Sequence, residues 1–416
     1  KAGQWVADNM SSAGLRATIH STGGHPIVVG EWRGAGADAP TVLVYGHYDV
    51  QPAEPLDLWQ SPPFEPTIRD GKLFSRGAVD DKGQVFALLK AYESVLDGGK
   101  RPPLNVRFII EGEEECGGRV IFDRLKAEPW RTEVGAVVVA DMGYYAPGVP
   151  AVYTALRGLA YAEIQVRTAE SDLHSGEYGG VAPNAIETTA RILTALKDAN
   201  GRIKIPGLYE SIKPPSKAEL AGWKKLPFDR RTYLKQQVTA KALTGLQKYS
   251  IHERLWALPT FEIHGIRGGF VGEGAKTVIP CQAVAKVSLR LVPGQSSAKA
   301  YRQLAQAVKR VAPKWADVQV VPLHAGEPVQ VKVDAPAFRV LDRAFQEVVG
   351  RPTVAVRAGG SIPVVTALAQ GGAPVLLTGI GLPDDRLHAP NEKVTLSQVW
   401  DGIQVFGRFF EMMAEK

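Results

Sequence analysis

Several short stretches of the 416-residue chain carry residue types that bind metal or move protons. "YGHYDV" puts His47 and Asp49 two apart at the end of an apolar run. "GAVDDKG" holds adjacent aspartates, Asp80 and Asp81, in a glycine-flanked turn before a helical stretch. "IIEGEEECGG" sends Glu111, Glu113, Glu114 and Glu115 out of a second apolar run, "VVVAD" ends a third on Asp141, and "DDRLHAPNE" carries His388 in a polar loop. Singly, each has a plain alternative: aspartates cap helices, acidic runs are solvated, and loop histidines lie on surfaces. Together they place imidazole and carboxylate at the ends of several apolar runs, and glutamates this close repel one another unless a cation lies among them. Such a donor set suits zinc, and also manganese or cobalt, while the lack of clustered thiolates argues against a structural zinc. Charge balance asks for two ions, because three ligating carboxylates and one bridging hydroxide cancel two dications and leave a glutamate free to move protons. A paired-metal site polarises a carbonyl and generates hydroxide near neutral pH, so the chemistry is hydrolysis.

The elements that must position these residues follow from the apolar spacing. Val42, Leu43 and Val44 read as a short buried strand that Gly46 breaks. "TVLVYGH", "LNVRFIIEG" and "VGAVVVAD" are strand-like, and "QVFALLKAYESVL" between the first two has helical spacing. That is the pattern of an α/β domain with a mostly parallel sheet flanked by helices, in which ligands collect at the carboxyl ends of strands. From about Gly158 the texture changes: "LAYAEIQVRT", "AVAKVSLRLVP" and "ADVQVVPL" read as strands, with helices at "PNAIETTARILTAL", entered through Pro183, and "SSAKAYRQLAQAVKRVA". This order predicts a split-βαβ, ferredoxin-like α+β domain carrying a Pro- and Lys-rich insertion at about 205–257. From about 327 the α/β texture returns, with helices at "PAFRVLDRAFQEVV" and "LSQVWDGIQVFGRFFEMM" around the run "PVLLTGI". The expected organisation is a first domain of residues 1–156 and 327–416, interrupted by a second of residues 157–326.

Composition narrows the function classes. Apolar residues at 45% and charged residues at 22% are ordinary for a globular chain, and no run approaches the roughly 20 apolar residues of a membrane helix. A net charge of +6 is mild for this length, and the nearest basic stretch, "GWKKLPFDRRTYLKQQ", reads as a solvated helix face. Neither a nucleic-acid nor a membrane partner is expected. Cys116 and Cys281 form no CxxC pattern, which fits a reducing, cytoplasmic compartment; Cys116 reads as a small buried residue. The chain opens on "KAGQWVADNMSSAGL", the middle of an amphipathic helix, so a natural N-terminus is expected upstream.

"GHYDVQP", "GAVDDKG", "EGEEECGG", "DLHSGEYGG", "GAKTVIP", "LRLVP", "AGGSIP" and "HAPNE" together, in this order over nearly the whole chain, resemble the dinuclear-metal exopeptidase family. The resemblance is to its carnosinase-like branch, that of cytosolic nonspecific dipeptidase, with carboxypeptidase G, peptidase T and acetylornithine deacetylase as wider relatives. It implies two divalent ions per subunit, zinc first and manganese or cobalt as alternatives. His47 and Asp141 match ligands of one ion, Glu115 and His388 ligands of the other, and Asp80 the carboxylate that bridges them. Asp49 matches the acid that orients His47, and Glu114 the general base that takes a proton from the bridging water and passes it to the leaving amine. The Asp80–Asp81 peptide bond is expected to be cis. The inserted domain becomes a lid and dimerisation domain, with His174 reaching the other subunit's active site of a homodimer to stabilise the oxyanion. Asn184 and Thr277 match substrate or interface positions, Arg290 the clamp for the substrate's terminal carboxylate, and Gly359, Gly360 and Ser361 a substrate-contacting loop. The activity implied is metal-dependent hydrolysis of dipeptides or short peptides. Aspartate at 141 and the 205–257 insertion favour the dipeptidase branch over the alternative, an N-acyl-amino-acid deacylase; no role lacks its residue, as it would in a non-catalytic binding protein with the same fold.

Overall fold

The computed structural model describes residues 1–97, 104–127 and 134–415. Its larger sheet runs in the order Arg16–His20, Ile27–Trp32, Asn105–Glu111, Thr41–His47, Val134–Val139, Val375–Leu377. The last four strands are mutually parallel, as the apolar runs predict. The first two were not expected; they pair antiparallel and extend one edge. Thr41–His47 is buried at every position, as a central strand covered on both faces must be. Helix Lys82–Asp97 packs on Leu396–Ala414, which also lies against Pro336–Val349. Tyr92 and Phe410 meet edge-on at 5.5 Å between the first two of these helices.

Gly46 does not break its strand, which continues to His47. A Cβ there would sit 2.5 Å from Val85 Cγ2 and 2.8 Å from Asp81 Oδ2. Glycine is therefore needed for close approach of the helix and the Asp81 loop, not for a turn.

A second sheet runs Thr260–Gly268, Gln282–Leu291, Gly158–Arg167, Asp317–Gly326, wholly antiparallel. With helices Ala185–Leu196 and Ser297–Val311 packed against it, this is the split-βαβ order expected. Gly158–Arg167 alternates buried and half-buried residues, the signature of a sheet covered on one face. Its apolar core, centred on Ile164, Leu193, Val287 and Leu304, is separate from that of the larger sheet. Helix Ala185–Leu196 starts after Asn184, not at Pro183: the Asn184 side chain accepts from the Ile186 and Glu187 amides and caps the helix.

The 205–257 insertion forms short pieces, and "GWKKLPFDRRTYLKQQ" within it is not one helix face but is divided among Lys217–Lys224, Arg230–Thr232 and Tyr233–Val238. Helices Lys217–Lys224 and Ile251–Trp256 bury Trp223 and Trp256 against Ala151 and Val356. Among the described residues no helix is long and apolar enough to cross a membrane.

Candidate metal centre and active site

His47 is the last residue of the central strand, level with Glu111 at the end of the neighbouring parallel strand. Its Nδ1 lies 3.2 Å from the Asp49 carbonyl and 3.3 Å from Asp49 Oδ1, so the proton sits on Nδ1 and Nε2 is left to face inward. The other Asp49 oxygen accepts the Glu115 amide at 3.0 Å. One carboxylate thus steadies a side chain and a backbone on opposite halves of the site.

Asp80 sits in the turn before helix Lys82–Asp97, and the Asp80–Asp81 bond is cis, as expected. Its Oδ1 is 3.1 Å from His47 Nε2 and its Oδ2 is 2.9 Å from His388 Nε2. Asp141, two residues beyond strand Val134–Val139, brings Oδ1 to 3.8 Å from His47 Nε2. Glu115 Oε1 is 3.4 Å from His388 Nε2, while its Oε2 accepts from Gln51 Nε2 at 2.8 Å. Two trios result, His47–Asp80–Asp141 and Asp80–Glu115–His388, with donor atoms within 4.8 Å of one another in each and Asp80 common to both.

The four glutamates of the acidic run separate into different tasks. Tyr45 donates to Glu111 Oε1 at 2.5 Å beneath the site. Glu113 Oε1 accepts the His25 amide at 2.8 Å, against Gly24. A single 3-10 turn, Glu114–Cys116, then points Glu115 at His388 and leaves Glu114 beside the trios. Cys116 is exposed there, not buried; the turn that aims the two glutamates inward directs the next side chain to solvent.

Counted as protein groups alone, the cluster opposes itself. Burial, reinforced by Asp141, pushes Glu114 up to about 8. Burial raises Asp141 as well, and Asp81 well above the ordinary carboxylate range. Asp80 is held far below that range, against the cost of its burial, by His388 and His47. His47 Nε2 is buried without a hydrogen-bond partner of adequate geometry. An orphaned imidazole nitrogen facing crowded carboxylates is what a divalent cation satisfies, and the N/O donor set fits zinc, manganese or cobalt.

Some of the residues matched to substrate, Arg290, Ser361, Gly359 and Gly360, form a second group. Arg290 Nη1 is 3.3 Å from Ser361 Oγ, which itself donates to the Arg157 carbonyl at 2.5 Å, while the Arg157 amide donates to Gly360 O at 3.1 Å. Arg290, Ser361 and the exposed Gly359–Gly360 turn are therefore one connected corner. Arg157, which the sequence reading missed, anchors it from below: its Nη2 donates to the Arg254 and Leu258 carbonyls, tying in the end of the 205–257 stretch. His174 stands apart from the trios, exposed at the N-terminus of a short helix, where its Nδ1 accepts the Gly176 amide. Thr277, also exposed, gives its carbonyl to the Ser175 amide, and Asn184 serves as the helix cap described above.

A second omission is Glu392. Its Oε2 accepts from Arg76 Nη1 at 2.7 Å and the Gly77 amide at 2.9 Å, and its Oε1 from the Val79 and Asp80 amides at 3.0 and 3.1 Å. Its place in "HAPNE" was the only sequence signal.

Residues 43–412 match the model of peptidase family M20/M25/M40. The Beta-Ala-His dipeptidase of Homo sapiens is 32% identical over 396 residues, covering 94% of this chain and 78% of that protein. The Cys-Gly metallodipeptidase dug1 of Schizosaccharomyces pombe is 32% identical over 400 residues, with 94% and 83% covered. The crystal structure of an M20 family metallo-carboxypeptidase, Sso-CP2 from Sulfolobus solfataricus, superimposes with a TM-score of 0.88 at 27% identity, covering 100% of this chain and 94% of that one.

Proposed function

The chain belongs to peptidase family M20/M25/M40, and from that premise we propose that it is a dinuclear metallopeptidase that hydrolyses dipeptides or short peptides. The observation that carries this reading is the pair of donor trios sharing Asp80, with Glu114 half-buried beside them. His47, Asp80 and Asp141 would hold one ion, and Asp80, Glu115 and His388 the other. Two divalent ions there would supply Lewis acidity, polarising the scissile carbonyl and bringing the ionisation of water near neutrality.

The protein's own groups do the rest. Asp49 keeps the His47 proton on Nδ1 and holds the Glu115 backbone. Glu114, beside the two trios but a member of neither, can take a proton from water and return it to the leaving amine. Arg290, steadied through Ser361, offers its guanidinium to the substrate's terminal carboxylate, and Gly359 and Gly360 leave room for its backbone. The dipeptidase names of the relatives described above support a dipeptide as substrate.

We assign residues 157–326 to a lid and dimerisation domain inserted between 1–156 and 327–416. The separate core supports this, and so does the sheet's outer strand Thr260–Gly268, which exposes Ile263 and Ile266 at an open edge. A homodimer through this edge would let His174, Asn184 and Thr277 serve the partner's site. Zinc is the first metal to test, then manganese and cobalt. Two free cysteines fit a cytoplasmic setting.

The test is hydrolysis of a dipeptide panel with N-acetylated controls by metal-stripped enzyme restored with zinc or manganese. Cleavage of the free dipeptides alone is expected. Cleavage of only the acetylated compounds would move the chain to the N-acyl-amino-acid deacylases.

A further inference from the structure

We propose that Glu392 is the positioning residue that makes the two metal positions one mechanical unit. The inference rests on the dinuclear reading above and concerns how the bridging carboxylate is held. Asp80 serves both trios, so any drift of its backbone spoils both. That backbone lies in a loop, residues 76–81, between strand Lys72–Phe74 and helix Lys82–Asp97; the Arg76 and Ala78 amides donate to Pro63 and Ser75 and Asp81 accepts the His47 amide, which leaves the Gly77, Val79 and Asp80 amides to be held from elsewhere.

Glu392 supplies the support. Its carboxylate is 0% exposed and accepts four donors, all from residues 76–80. A carboxylate offers about four lone-pair sites, so none remains for a metal. Arg76 neutralises it, and Arg76 Nη2 also donates to the Pro52 carbonyl at 3.1 Å, on the segment that follows Asp49. The pair therefore adds order to the site without adding charge.

The same residue governs the second trio through the chain, because Glu392 lies four residues after His388. The loop between them is closed on itself. Lys393 Nζ donates to Asp385 Oδ1 at 2.7 Å, and Asp385 Oδ2 accepts the Leu382 amide at 2.6 Å. Arg386, His388 and Asn391 all hold positive φ, of 61°, 58° and 63°. Asparagine visits this region readily, but positive φ is uncommon for other non-glycine residues, and three within six positions mark a tightly specified loop. Asn391 donates to the Leu58 carbonyl and accepts the Gln60 amide, both at 2.8 Å, fixing the loop's outer side. Glu392 fixes its inner side to Asp80. The distance from His388 Nε2 to Asp80 Oδ2 is thus set by a chain of bonds running through Glu392, although the two residues are 308 apart in sequence.

Glu392→Gln tests this. An amide can accept with its oxygen only, so its NH2 group must confront either the Arg76–Gly77 donors or the Val79–Asp80 donors. Metal-stripped full-length protein is titrated with zinc by calorimetry, alongside Glu392→Asp, His388→Ala and Asp342→Asn. Asp342 accepts the Thr353 amide and hydroxyl on one oxygen outside the cluster, so its variant reports the effect of neutralising a loop-holding carboxylate alone. In Glu392→Gln both binding steps should weaken together, by about 10- to 100-fold, the range typical when a group that orients metal ligands is lost. Glu392→Asp should weaken both steps by less, His388→Ala only one, and Asp342→Asn neither. If both steps in Glu392→Gln stay within threefold of the parent, or only one moves, the proposal fails. If that variant does not fold, Glu392→Asp carries the test, and unshifted steps there overturn it. Absence of any dipeptidase activity in the parent would sink the functional reading while leaving the binding result to stand or fall by itself.

Discussion

Asp49→Asn is the substitution that most directly probes the link between the two halves of the site. It preserves volume and removes only charge and one acceptor. In the parent, Oδ1 faces His47 Nδ1 at 3.3 Å and Oδ2 accepts the Glu115 amide at 3.0 Å. The asparagine oxygen can satisfy one of these donors, and its NH2 group must then face the other. Losing a hydrogen bond to a charged acceptor costs about 1.5–3 kcal/mol. The Asp49 carbonyl, 3.2 Å from the same Nδ1, survives the substitution and partly holds the ring, which places the loss at the lower end. About 1.5–2 kcal/mol corresponds to about 10- to 30-fold. That factor should appear in the affinity for one ion, read by calorimetric titration of metal-stripped protein, and in kcat/KM on a dipeptide at limiting metal. It should shrink when metal is in excess. Asp49→Ala, which strands the Glu115 amide and leaves His47 Nδ1 only the backbone carbonyl, should weaken both ions. Affinity and kcat/KM within threefold of the parent in Asp49→Asn would refute the bridging role.

Glu114→Gln should lower kcat by about 10²- to 10⁴-fold, the range for a lost general base, with metal content unchanged because Glu114 belongs to neither donor trio; loss of an ion, read by elemental analysis, would make Glu114 a ligand instead. Gly46→Ala should lower the melting temperature, since its Cβ would press on Val85 Cγ2 and Asp81 Oδ2 at 2.5 and 2.8 Å and overpacking costs about 1–3 kcal/mol; an unchanged melting curve would contradict the close approach. Glu219→Gln removes the charge of a half-buried carboxylate paired at 2.7 Å with the buried Arg357, and should destabilise by about 1–2 kcal/mol at neutral pH. Although burial works the other way, the Ser216 amide and Arg357 hold the Glu219 carboxyl below its ordinary 4.5. Its contribution is therefore full above pH 4.5 and is lost as pH falls through the lower folded value. Parent and variant melting temperatures should differ at pH 7 and converge on acidification below that point, and a constant gap would exclude this linkage.

The parallel strands and the split-βαβ order were legible because long apolar runs and helical spacing are local signals. Arg16–His20 and Ile27–Trp32 were not, being short strands whose stability comes from pairing with Asn105–Glu111 rather than from their own pattern. Among the carboxylates, composition announced a cation but could not sort Glu111 and Glu113 from Glu114 and Glu115. That sorting depends on Tyr45 and the His25 amide, which are distant in sequence. The meeting of His388 with Asp80 lies outside the reach of spacing altogether, and only family resemblance paired them. Cys116 and Gly46 were misread for a common reason. Each was judged by residue type, whereas a 3-10 turn exposes the first and a packed helix demands the second.

The two trios are built by different means, and this bears on how the site works. His47 is 0% exposed and Asp141 9%, and both are fixed by adjacent strands of one parallel sheet. That half is as rigid as the core beneath it. Glu115 and His388 sit on a 3-10 turn and a strained loop, and the His388 side chain is 56% exposed. Of the ligand side chains proposed above, His388 is the exposed one, so on that reading a substrate would approach from its side. On the proposed reading, loop-borne ligands could adjust to an incoming peptide only if the shared Asp80 stayed fixed, since it would carry any displacement into the other half. The four bonds from residues 76–80 to the Glu392 carboxylate meet that requirement: they hold Asp80 to the standard of the sheet while the His388 side chain stays at the surface.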